Sequence, residues 1–140
     1  MGVKMALDPR TNKGSWTQDI MSSVSLVTAV ILMRCCSLYR IEKLLRRFKK
    51  GCTREMSMQE AEKVWESIRK CSVLLFFTRV ACLETSLAFM ICALLKRRKA
   101  EWCIGVTIGV FESHAWIEVA GVPVREPDYV MNQMKKILVV

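Results

Sequence analysis

Histidine is almost absent from this chain: His114 stands alone among 140 residues. Any imidazole chemistry must run through that one side chain. Seven cysteines, at 35, 36, 52, 71, 82, 92 and 103, form no CxxC pair, so the ligand spacing of a structural zinc site is missing as well. No metal and no cofactor is expected, and unpaired cysteines of this kind suit a reducing cytoplasm. Long apolar runs are also scarce. The best candidate, residues 20–33, is about 14 residues long, short of the roughly 20 that cross a bilayer. Lys4, Arg10 and Lys13 precede it as in a signal peptide, but Arg34 follows at once and no small-residue cleavage site appears. A packed helix is expected there. Internal repeats, low-complexity linkers and nucleic-acid motifs are lacking, and no aromatics interleave the basic runs, so nucleic acid is not an expected partner.

What is present is charge of one sign on an apolar background. Lysine and arginine outnumber acids 22 to 13, a net charge of +9, while 52% of residues are hydrophobic. Much of the excess lies in residues 34–54 and in Lys96, Arg97, Arg98 and Lys99. Such runs are usually solvated helix faces, but with this much apolar content they also suit a partner or a membrane surface.

The length fits one domain. Residues 1–16, polar and carrying Pro9 and Gly14, read as a flexible tail, and residues 17–140 as a single domain with a helical part at 17–77 and a core at 78–140. One long helix is expected over residues 17–50, ended by Gly51. Ser57 and Glu60 form an S-x-x-E capping box for the next, in which Ala61, Val64, Trp65, Ile68, Cys71 and Leu75 recur at helical spacing. A third helix is expected over residues 82–98; its stretch from Leu87 to Leu95 is wholly apolar, as in a helix buried on most sides, with Lys96 to Lys99 at its negative end. After Ala100 the period becomes two, giving strands at 102–108, 113–119 and 122–126 and a short edge strand at 137–140. The class is α+β, helices first, then a core whose central helix packs on a small antiparallel sheet.

The chemistry-bearing residues fall in that core. Cys82 starts an apolar helix, where unpaired N–H groups and the helix dipole favour thiolate. His114 follows on a strand and carboxylates on the next, which is the chain order cysteine, histidine, acid of thiol acyl-transfer enzymes. Strand parity decides among the acids. A two-residue loop pairing Val119 with Val122 would turn Glu126 away from His114, whereas a three-residue loop with a bulge at Gly121 would turn Glu126 and Asp128 toward it. The bulge is the expectation, with Glu126 first, Asp128 second, and Glu118, on the same strand as His114, a solvent or rim carboxylate.

ACLETSLAFMICALL, WCIGV and SHAWIEVAGVPVRE together resemble the bacterial lasso-peptide leader peptidases, a transglutaminase-like family, most densely over residues 79–126. The resemblance implies Cys82 as nucleophile, His114 as base and Glu126 as the orienting acid, at a position where aspartate is usual. It implies a transglutaminase- and papain-like core, cleavage of a ribosomal precursor peptide through a thioester, a separate leader-recognition protein, and a separate ATP-dependent cyclase. The rival readings are amine acyl transfer by the same thioester and a non-catalytic scaffold whose basic, apolar helical half binds a membrane or partner. The latter would make the protein peripheral to the membrane.

Overall fold

The computed structural model describes residues 9–74, 82–107, 112–126 and 128–140. Helix α1 (Pro9–Cys35) opens on a proline, whose missing N–H costs nothing in a first turn. It therefore begins inside the segment read as a tail, of which residues 1–8 lie outside the described residues. The single helix expected over residues 17–50 is two. Cys36 and Ser37 break it, and Ser37 adopts an extended backbone (φ −73°, ψ 155°) so that its Oγ accepts the Arg40 N–H at 3.4 Å, starting α2 (Leu38–Lys49). A serine flanked by apolar residues hides this cap from a periodicity reading.

After the two-residue β1 (Arg54–Glu55), α3 (Met58–Leu74) is capped by Ser57, whose Oγ accepts the Glu60 N–H at 3.2 Å. The Glu60 carboxylate turns to Arg98 and Lys96, at 3.6 and 4.0 Å. Helix α4 (Cys82–Leu95) stops before the basic run rather than within it. Arg97 takes φ +55°, a left-handed stop, and Arg98–Lys99 form β2, which pairs in parallel with β1.

Helix α4 is the centre of the molecule: Leu87, Ala88, Phe89, Met90, Cys92 and Ala93 are all fully buried. Helix α1 crosses it with small residues, and Cys92 Sγ lies 3.1 Å from Ser25 Oγ. Burial pushes the Cys92 thiol up from its ordinary pKa, against the opposing pull of Ser25 and Ser22. Asp19 ties α1 to α3 through Ser67 at 2.7 Å and Lys70 at 3.1 Å. The stretch Trp16–Cys35 is long and apolar enough to cross a membrane by length and composition; here one of its sides packs against α3 and α4.

The sheet is antiparallel, in the order β5-β4-β3-β6, from β3 (Glu101–Thr107), β4 (Ser113–Val119), β5 (Val122–Pro123) and β6 (Met134–Val139). Helix α5 (Asp128–Gln133) leads into β6. Strand β6 starts three residues before the expected position and lies at the sheet edge. Alternation splits the sheet into two faces. Trp102, Ile104, Ala115, Ile117 and Val119 join the main core, and Trp102 Nε1 donates to Ser86 Oγ of α4 at 2.9 Å. Cys103 and Trp116 belong to a second, smaller cluster with Val130 and Met134.

Candidate active site

His114, Trp116 and Glu118 alternate along β4 and so share the second face. His114 Nε2 lies 2.9 Å from Glu126 Oε2, with the two side chains 24% and 11% exposed. Among the described residues no hydrogen bond occupies the other ring nitrogen, Nδ1, which can meet a thiol or a substrate. The imidazole also stacks on Trp116, ring centroids 6.0 Å apart and planes 16° from parallel.

The route by which Glu126 gets there differs from the expected one. Val119 pairs directly with Val122 across Ala120 and Gly121, both at positive φ (52° and 80°), so the hairpin is a two-residue turn and no bulge forms at Gly121. The ladder continues to the Val124 N–H, which donates to Ile117 O at 2.9 Å. In that register Glu126 would lie beside Ala115 on the core face. Arg125 prevents this by taking φ +52°, and the chain turns Glu126 to the histidine face instead. The Arg125 guanidinium is held by Glu66 of α3. Helix α5 begins at Asp128, the alternative acid, whose side chain lies outside the described residues.

Glu118 is not a rim carboxylate. It is 1% exposed, accepts the Trp116 indole N–H at 3.1 Å through Oε1, and takes the Lys136 ammonium at 2.8 Å through Oε2. That hydrogen bond raises the Lys136 pKa above its ordinary value. Gly105, opposite His114 in the ladder, makes room for the indole: a Cβ there would lie 2.6 Å from Trp116 Cη2. Lys136, Trp116 and Gly105 thus support the histidine from behind. The spacing H-x-W-x-E was visible in the sequence as a shared strand face, but Lys136 joins only through the β3–β6 pairing.

Cys82 is exposed in the first turn of α4, where the unpaired N–H groups of a helix start lie. Among the described residues no hydrogen bond joins its sulfur to His114. Apart from Cys82 and Cys35 the cysteines are buried or half-buried. Burial pushes the Cys103 thiol up to about 12, with Glu118 adding to the effect. Glu101, Cys103 and Glu118 come within 4.8 Å of one another. A neutral thiol beside a carboxylate already neutralised by Lys136 is a poor set of metal donors.

The family model described as the transglutaminase-like superfamily matches residues 23–139, spanning both the helical half and the sheet. No curated protein and no solved structure matches the chain.

Proposed function

Because this chain belongs to the transglutaminase-like superfamily, whose activities are of the cysteine protease and acyltransferase type, we propose that it is a cysteine peptidase that removes the leader from a ribosomally made lasso-peptide precursor. The observation that carries the reading is the His114–Glu126 pair at 2.9 Å. A partly buried carboxylate on one ring nitrogen fixes the tautomer and stabilises the imidazolium, which is what a base serving a thiol requires.

In this mechanism the Cys82 thiolate adds to the scissile carbonyl while its proton resides on His114. The tetrahedral oxyanion collapses, the C–N bond breaks, and the imidazolium gives its proton to the leaving amine of the core peptide. The leader remains as a thioester on Cys82. Water, deprotonated by His114, then adds to that carbonyl; the C–S bond breaks and the leader leaves as a carboxylic acid. Approach of Cys82 to His114 Nδ1 accompanies substrate binding, since catalytic hydrogen bonds often tighten only in the complex. The liberated core amine is then available to a separate ATP-dependent cyclase, and a separate leader-recognition protein presents the precursor.

The deciding experiment is cleavage of the cognate precursor, with its leader-recognition protein present, by the wild type and Cys82→Ala. Loss of cleavage in the variant is expected; persistence would sink the assignment. The superfamily match also favours a second reading, amine acyl transfer. Adding a primary amine separates the two: mass gain on the acyl product supports transfer, release of free leader supports the peptidase. A scaffold without catalysis would show Cys82 reacting with dilute iodoacetamide no faster than Cys35, the other exposed thiol.

A further inference from the structure

Helix α1 is apolar where it meets solvent. From residue 18 to residue 33 its exposed positions are Ile20, Val24, Val27 and Ile31, each between 46% and 59% exposed. At about 3.6 residues per turn these fall in one strip with the alternating four- and three-residue spacing of a helix–helix seam. The strip runs beside Thr28 and Leu32, which line a groove of about 520 Å³ walled also by Leu44 and Phe48 of α2 and Leu95 of α4. At Cys52 this groove adjoins a second hollow of about 520 Å³ that is lined by Arg46, Lys49, Lys50 and Lys99. Arg46 is paired with Glu42. Among the described residues Lys49, Lys50 and Lys99 have no ion-pair partner.

We propose that this surface receives an acidic amphipathic helix from a polypeptide partner. The seam spacing calls for a helix, since a helix presents its own ridge to such a strip. The groove continues that strip between α1, α2 and α4 and has the concavity into which an anchoring side chain fits. The cationic hollow at its end selects negative charge on the incoming helix. A bilayer meets a broad convex apolar face, whereas here the strip and the exposed Leu44, Phe48 and Leu95 beside it enclose a concavity. A second copy of the chain would bring its own +9 and the same cations against this one. The docking does not depend on the chemistry of Cys82, because binding is measured without turnover.

The test uses the full chain and two labelled synthetic helices of about five turns. Both carry Leu and Ile at seam positions; one is flanked by Glu, the other by Lys. Binding is read by fluorescence anisotropy at low and high salt, with far-UV circular dichroism to verify that each variant is folded. The acidic helix is expected to bind at least about tenfold more tightly than the basic one, which is 1.4 kcal/mol. Val27→Glu and Phe48→Glu, both at exposed positions, should each abolish that binding, and the double variant Lys49→Glu, Lys50→Glu should erase the preference for acid. Equal affinity for both helices, no binding of either below about 1 mM, or undiminished binding to Val27→Glu would overturn the proposal. So would a dimer in light scattering that Val27→Glu dissociates, or binding to phosphatidylglycerol vesicles in place of the peptide.

Discussion

The two faces of the β3–β4 ribbon are built from the same strands by opposite rules. On one, Trp102, Ile104, Ala115, Ile117 and Val119 pack an apolar surface against α4, broken by the Trp102–Ser86 hydrogen bond, and the face is stable because it is densely packed. On the other, His114, Trp116 and Glu118 form a polar line, each bonded or stacked on its neighbour and closed by Lys136 and Glu126. An apolar face tolerates loss of a methyl group in proportion to volume. A linked polar face fails as a unit, because each member's removal leaves a buried partner unsatisfied.

Five substitutions and one series of pH values would break or sharpen this contrast. Being the only histidine, His114 gives a single imidazole resonance whose chemical shift reports on the site. The largest effect is expected for His114→Ala, a loss of the proposed precursor cleavage of about 10²–10⁴-fold that outweighs the loss of stability from leaving Glu126 unpaired. Ile117→Ala should do the reverse, costing about 2–5 kcal/mol in denaturant unfolding while leaving the imidazole resonance where it was. Lys136→Met leaves the buried Glu118 carboxylate uncompensated; the expected cost is about 2 kcal/mol, below that of a wholly buried pair because Lys136 is partly exposed. Unlike Ile117→Ala, it should also move the imidazole resonance through Trp116. Gly105→Ala forces the indole to move and should cost about 1–3 kcal/mol with a smaller shift of the same resonance. An unchanged resonance in both would mean that the polar line is packing alone.

The effect confined to one end of the pH scale is on alkaline stability. Burial raises the Cys103 thiol to about 12 from the 9.0 of an exposed cysteine, and raises Cys92 as well. Between those values the folded state binds more protons than the unfolded one, so stability falls as pH rises. The contribution is whole below about pH 9 and is lost progressively above it. Unfolding midpoints measured at successive pH values should decline over that window, and less steeply in Cys103→Ala.

Much of the fold was legible because it rests on periodicity. The apolar run of α4, the Ser57 cap and the two-residue alternation of β3 and β4 are local patterns, and each appears in the structure. The break at Ser37 was not legible, since one hydroxyl bonding one N–H leaves no trace in a hydrophobic pattern. Nor was the early stop of α4, where Arg97 takes a left-handed conformation without being glycine. At the candidate site, strand order narrowed the acid to Glu126 or Asp128, but the expected device was misplaced by four residues: Gly121, the residue freest to supply a bulge, sits in a regular turn, and Arg125 makes the turn instead.

By itself the sequence determined the succession of elements and the short list of reactive residues, because helix starts, alternation and a single histidine are properties of neighbours along the chain. Only the tertiary structure decided which acid meets His114 and that Glu118 is buried. It also decided that Lys136 neutralises Glu118 and that Gly105 yields space to Trp116. Those depend on where strands far apart in sequence come to lie, and on one backbone angle at Arg125 that no local pattern encodes.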